Sequence, residues 1–308
     1  MPELQALLDL LYRKHKPARG GTLASYIPEL AKADPNRFAL ASCGVDGSRA
    51  GAGDLNARFT LQSVSKPFVF GLALAAHGRK RVREEVGVEP TGESFHSVIR
   101  LDADRKRPYN PMINPGAIAM AGLIPGGTPA RRQTALLKGL SVFAGRPLSI
   151  NDKVFRSERS TGHRNRAIAH LMRHFGSIPG EIEHTLDLYF KQCATAVDCR
   201  DLALMGATLA NGGVNPVTGK RALPARFVRD LLTLMFTCGL YTYAGEWAYT
   251  VGLPAKSGVS GAILAVVPGK MGVAAFSPRV DAHGNSVRGL KALREFSARR
   301  NLHVFEAR

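Results

Sequence analysis

The chain has 308 residues, 45% of them hydrophobic and 21% charged, near-average globular values that argue against a disordered, collagen-like or solenoid chain and leave one large domain or two modest ones. Its longest apolar stretches, such as Val69 to Ala76 or Ala262 to Val267, fall far short of the roughly 20 residues of a membrane span. Met1 to Lys16 mixes Glu3, Asp9, Arg13 and Lys14 into its apolar pattern and lacks a secretion signal's h-region, so a cytoplasmic location is expected.

In chain order, Leu4, Leu7, Leu8 and Leu11 recur at helical spacing and predict an N-terminal helix that ends before Pro17 and Gly20-Gly21. Phe38 to Val45, the Asp46-Gly47 turn and a short following segment read as a β-hairpin. A helix opens near Ser63, takes Pro67 in its first turn, where the missing N–H costs nothing, and is expected to stop at Gly78. From Gly116 to Phe236 the period is mostly helical, with helices starting at Thr128-Pro129, spanning Thr161 to Phe175 and Glu181 to Cys193, and capped by Asp198 before Gly212-Gly213. Gly261 to Val267, a Pro268-Gly269 turn and Met271 to Phe276 form a second hairpin, and Leu290, Leu293 and Phe296 mark a C-terminal helix. Strands at both ends with helices between predict an α+β architecture: one antiparallel sheet flanked by terminal helices, with an all-helical insertion. The expected layout is a single domain over 1–308, its sheet part about 1–62 and 246–308 and its helical part about 63–245.

The net charge of +18 raises nucleic acid, a membrane surface or an anionic substrate as partners. Its distribution points elsewhere. Basic residues sit in short clusters (Arg79 to Arg83, Arg105 to Arg107, Arg131-Arg132, Arg299-Arg300) with few aromatics among them, the pattern of a solvated basic surface. Cys43, Cys193, Cys199 and Cys238 form no C-x-x-C pair and read as reduced, buried thiols.

Two motifs carry chemistry. Ser63-Val64-Ser65-Lys66 is an S-x-x-K at a helix start, where residues three apart are neighbours and the Lys66 amine can reach the Ser63 hydroxyl. Burial beside the apolar residues that follow would lower the lysine's pKa and let it take the serine proton without a histidine. Lys256-Ser257-Gly258 precedes the C-terminal hairpin, and a K-[ST]-G strand beside an S-x-x-K helix is the pairing used by penicillin-recognising serine enzymes. Asn110 to Gly116 is a turn carrying two amides, and Arg156-Ser157-Glu158 precedes a helix on which Asn165 sits at the margin of the buried side marked by Ile168, Leu171, Met172 and Phe175. His163, His170 and His174 share one stripe of that helix with Arg166 and Arg173. No carboxylate or cysteine is in register with them, so they read as solvent-exposed histidines and not a zinc site. H-E-x-x-H, G-x-S-x-G, Walker A and G-x-G-x-x-G are all absent from the sequence.

Together these residues resemble the serine-dependent glutaminase family, over nearly the whole chain and in the family's order. The shared segments are Ala24 to Leu30, Gln62 to Lys66, Asn110 to Gly116, Arg156 to Glu158, Arg164-Asn165, Tyr189-Phe190, Gly239 to Tyr241 with Ala244 to Glu246, and Gly252 to Val259. The resemblance implies a β-lactamase-like fold, hydrolysis of L-glutamine to L-glutamate and ammonia through a γ-glutamyl ester, no cofactor, no metal, and a homo-oligomer, dimer or tetramer. It carries the nucleophile to Ser63, the base to Lys66 and a tyrosine bonded to the nucleophile to Tyr241. The substrate-binding residues carry to Asn114, Glu158, Asn165, Tyr189, Tyr241 and the backbone of Val259, and a site-lining tyrosine to Tyr26. Three departures stand out: Pro67 after the lysine, His96 where the family usually has an asparagine, and the strongly positive charge.

The chemistry of a free amino acid agrees with this assignment. Glu158 can bind an α-ammonium, Asn114, Asn165 and Tyr189 can divide the carboxylate and amide contacts, and the Ser63 and Val259 N–H groups can hold an oxyanion. Two other classes share some features. Another acyl-serine hydrolase of the penicillin-recognising type would use the same two motifs, and a basic nucleic-acid-binding protein on an inactive scaffold would explain the charge, with any such binding nonspecific.

Overall fold

The computed structural model describes residues 2–91, 107–178 and 180–306, so His96, Arg105 and Lys106 lie outside the described residues. Helix α1 (Pro2–His15) leads into strands β1 (Ala39–Gly44) and β2 (Arg49–Gly53), then a two-residue strand β3 (Phe59–Thr60), a 3-10 turn (Gln62–Ser65) and helix α2 (Lys66–Glu85). Helices α3 (Asn114–Gly122) and α4 (Pro129–Ala144) follow, then β4 (Ser149–Ile150), α5 (Asp152–Thr161), α6 (His163–His174), α7 (Ile182–Cys193), β5 (Thr195–Val197), α8 (Cys199–Ala210) and α9 (Ala225–Cys238). A second 3-10 turn (Tyr241–Tyr243) and α10 (Ala244–Thr250) return the chain to β6 (Ala255–Gly258), β7 (Ala262–Val267), β8 (Met271–Phe276) and α11 (Val287–Arg299).

The main sheet has the order β2-β1-β8-β7-β6 and is antiparallel throughout. Its inner strands are apolar on both faces because both faces are covered. On β7, Ala262, Leu264 and Val266 join the core under the helical layer, while Ile263, Ala265 and Val267 join the core under α1 and α11. The period of two is there, but it sorts apolar from apolar, which is why Ala262 to Val267 reads as an unbroken run. Helix α8 packs on β1, β7 and β8 from the helical side. A smaller sheet, β3-β5-β4, ties the segment before Ser63 to the helical layer through the pairing of Phe59 with Val197.

Local chemistry explains most element ends. Thr128 caps α4 by accepting from the Arg131 N–H. Asp198 and Asp201 form a reciprocal capping box on α8. The helix expected to stop at Gly78 does break there, at φ 74° and ψ 168°, but it resumes and runs to Glu85. The resumed turn, Arg79 to Glu85, has Val82 as its only apolar residue, fully buried, so no amphipathic period announced it. All four cysteines are buried and free, and no helix among the described residues is long and apolar enough to cross a membrane.

Candidate active site

The S-x-x-K lies on the 3-10 turn and the first residue of α2, so Ser63 and Lys66 are one turn apart. Pro67 occupies the first turn of α2, where no N–H is missed. The turn begins under strain: Gln62 carries a side chain yet has φ 48°, a left-handed conformation that costs on the order of 1–3 kcal/mol. Tyr241, at φ 57°, is a second such residue. Both strained residues touch Ser63, Gln62 as its chain neighbour and Tyr241 through a hydrogen bond to the Ser63 side chain.

Strand β6 sits at the sheet edge, as the K-S-G motif predicts, and packs against the 3-10 turn that bears Ser63. The Lys256 amine is fully buried. It donates to the Gly239 carbonyl at 2.7 Å and the Ser257 carbonyl at 2.8 Å, and lies 4.0 Å from the centre of the Tyr241 ring. The Tyr241 hydroxyl donates to the same Ser257 carbonyl at 3.1 Å. Position 239 must be glycine for this approach, because a Cβ there would stand 1.7 Å from the Ala255 carbonyl oxygen.

Lys66 is 1% exposed and donates to Asn114 Oδ1 at 2.7 Å. Asn114 Nδ2 passes the chain on to Asn165 Oδ1 at 3.0 Å. Helix spacing predicts contact of the lysine with Ser63; in this structure the amine bonds Asn114, and the serine's partner is Tyr241. Burial brings Lys66 down to about 8, against the opposing charge of Glu158, so a neutral amine is accessible near neutral pH. Burial pushes Tyr241 up to about 12, partly offset by its bonds to Ser63 and Ser257, which keeps the phenol a proton donor.

One cavity of about 380 Å³ gathers Tyr26, Ser63, Asn114, Glu158, Asn165, Tyr189 and Val259, drawn from the N-terminal loop, helices α3, α5, α6 and α7, and the segment after β6. Every substrate-binding position read from the sequence lines it except Tyr241, which reaches it through Ser63. Tyr26 is 56% exposed and forms the rim. Among the described residues, Glu158 is the only carboxyl group in the wall. Burial pushes it up to about 8, opposed by the hydrogen bond from Gln62 and the charge of Lys66. It is therefore a group that a bound cation would ionise. Asn165 is half-buried and His163, His170 and His174 are exposed, as the helix period predicts.

Sequence reasoning gave Gln62 no role. Its Nε2 donates to Glu158 Oε1 at 2.7 Å and Thr60 Oγ1 at 3.2 Å, and it lines the cavity with Thr161, Arg164 and Cys193. Its adjacency to Ser63 was the one signal that could have singled it out.

An antiparallel sheet with terminal helices on one face, a helical layer on the other, and an S-x-x-K turn packed on a K-S-G edge strand defines the β-lactamase-like class. Within that class, the Glutaminase family model matches residues 21–305, and the chain belongs to this family. A glutaminase of Trichormus variabilis is 54% identical over 303 residues, covering 98% of this chain and 90% of that protein. One from a Nostoc species is 53% identical over 305 residues, covering 99% and 91%. Among solved structures, a probable glutaminase, ybaS, superposes with a TM-score of 0.97 at 42% identity over 99% of both chains. A probable glutaminase from Bacillus subtilis, complexed with 6-diazo-5-oxo-L-norleucine, gives 0.90 at 35% identity, covering 99% and 97%.

Proposed function

We propose that this chain hydrolyses L-glutamine to L-glutamate and ammonia through a γ-glutamyl ester on Ser63. Family membership and relatives named glutaminase at 54% and 53% identity over nearly the full length support the activity and the substrate. The observation that carries the mechanism is that a serine hydroxyl bonded to a tyrosine, one turn from a buried lysine, opens into the same cavity as a single buried carboxyl group.

Glutamine enters with its α-ammonium on Glu158 and its α-carboxylate toward the Asn114–Asn165 pair and Tyr189. Ser63 Oγ attacks the carboxamide carbon as the neutral Lys66, one turn away, takes its proton, with Tyr241 bonded to the serine. The Ser63 and Val259 N–H groups hold the oxyanion. The proton returns to the nitrogen as the C–N bond breaks and ammonia leaves. Water then hydrolyses the ester with the same base, releasing glutamate and restoring Ser63. No step calls on a cofactor. We read the 308 residues as one functional unit, because the nucleophile turn and the edge strand come from opposite ends of the chain. A homo-oligomer in the cytoplasm is the setting the family resemblance supports.

Ammonia release measured with glutamine and asparagine, and ring opening measured with a β-lactam, test the substrate: ammonia from glutamine is the expected result, and β-lactam hydrolysis without it would replace the proposal by the penicillin-recognising reading. Ser63→Ala should lose essentially all turnover while staying folded. Lys66→Arg should be nearly as harmful, since a guanidinium with a pKa above about 12 cannot serve as a base.

A further inference from the structure

The peptide unit joining Gln62 to Ser63 has its carbonyl on one side and, on the other, the Ser63 N–H that faces the oxyanion in the proposed reaction. A peptide is planar, so whatever fixes the carbonyl fixes the direction of the N–H. The carbonyl accepts a 2.6 Å hydrogen bond from Ser65 Oγ. Ser65 Oγ in turn accepts from Gln192 Nε2 at 3.3 Å and bonds the Cys193 thiol. Ser65 and Gln192 are both fully buried, and neither lines the cavity.

We propose that Ser65 and Gln192 are positioning residues for catalysis, a two-link chain from α7 that locks the Gln62–Ser63 peptide so that the Ser63 N–H points at the oxyanion. The left-handed backbone at Gln62 supplies the need for such a lock, because a residue with a side chain holds φ 48° only where its surroundings over-determine it. The same conformation aims the Gln62 amide at Glu158, so the lock joins the nucleophile turn to the ammonium end of the cavity. Ser65 is the second serine of the S-x-x-K, and the lock gives this inner position a job distinct from that of Ser63 and Lys66.

This inference rests on Ser63 being the nucleophile, so Ser63→Ala is measured alongside: turnover that survives in that variant breaks the reaction scheme itself. With the scheme standing, Ser65→Ala is compared with wild type for kcat and KM on glutamine, product inhibition by glutamate and thermal midpoint. Complete removal of an oxyanion donor costs about 100-fold to 1,000-fold in kcat, so a misaimed donor is expected to lower kcat at least tenfold. KM and the glutamate inhibition constant should stay within about threefold and the midpoint within a few degrees, a split that a packing defect would not produce. Gln192→Met, which keeps the volume and removes the donor, should lower kcat in the same direction by a smaller factor, and should add nothing in the Ser65→Ala background. If Ser65→Ala does not fold, Gln192→Met decides by itself, a kcat lowered at least threefold at unchanged KM being the expected result. A kcat near wild type, a loss shared equally by kcat, KM and thermal midpoint, or additive losses in the double variant would overturn the proposal.

Discussion

In the proposed reaction a single side chain, Glu158, sets substrate choice. It is the one carboxyl group lining the cavity among the described residues, and a substrate without an α-ammonium forfeits the charge-assisted pair for which that carboxyl ionises, worth roughly 1.5–3 kcal/mol. Free glutamine should therefore outpace N-acetylglutamine by at least about tenfold in kcat/KM, and Glu158→Gln should weaken glutamine hydrolysis while narrowing that gap. Equal rates on both substrates in the wild type would remove the role given to Glu158. The same residue sets the pH dependence. Lys66 must lose its proton to act as base and Glu158 must lose its own to hold an ammonium, and both stand at about 8. Each requirement has the same sign, so kcat/KM should rise as pH rises through about 8, with apparent values that belong to the coupled pair. Glu158's charge holds the Lys66 value up, and removing it in Glu158→Gln should shift the limb of the residual activity to lower pH. A flat profile from about pH 6 to 9, a window that spans both values, would contradict both assignments.

Elements divide into those that local chemistry announced and those that tertiary packing imposed. Asp198, Thr128-Pro129, the Pro268-Gly269 turn and the leucines of α1 carried their helices and hairpin in plain view, and the order of S-x-x-K and K-S-G placed the Ser63 turn beside an edge strand. The continuation of α2 past Gly78 and the tiny strands β3, β4 and β5 were not legible, because a few residues paired across 45 and 138 positions (Ile150 with Thr195, Phe59 with Val197) leave no periodic trace. Site residues were legible where they stand in motifs. Gln62, Ser65 and Gln192 were not, because hydrogen bonding to one another and not spacing gives them their roles. Two substitutions separate element stability from site geometry. Asp198→Ala removes a cap remote from the cavity and should cost about 1 kcal/mol, a fall of about 2–4 °C in thermal midpoint, with kcat unchanged. Gly239→Ala drives a Cβ into the Ala255 carbonyl and should displace the Tyr241 turn from β6, so that kcat collapses. Thermal unfolding and steady-state assays on both check the contrast, and a fully active Gly239→Ala enzyme would mean that the turn does not depend on that contact.

At the scale of the whole molecule the charge of +18 is what remains after 24 acidic residues are set against 42 basic ones. Arg79 pairs with Asp230, Arg159 with Asp187, Arg166 with Glu183 and Arg294 with Glu246, so part of the basic complement on α2, α5, α6 and α11 is already ion-paired in place. Binding to DNA or acidic lipid should accordingly be nonspecific and fall by orders of magnitude between about 50 and 200 mM salt. A titration of labelled duplex at both salt concentrations decides this, and a salt-resistant, sequence-selective complex would point to a dedicated nucleic-acid face.

The proposed reaction turns on a covalent intermediate at Ser63. Acid quenching during glutamine turnover, followed by mass spectrometry of the peptide carrying Ser63 to Lys66, tests it most directly. The account predicts that this peptide gains the mass of one glutamyl group, that the gain fragments to Ser63, and that it is absent from Ser63→Ala. Glutamine turnover by a Ser63→Ala enzyme, or a glutamyl group trapped on any other side chain, would contradict it.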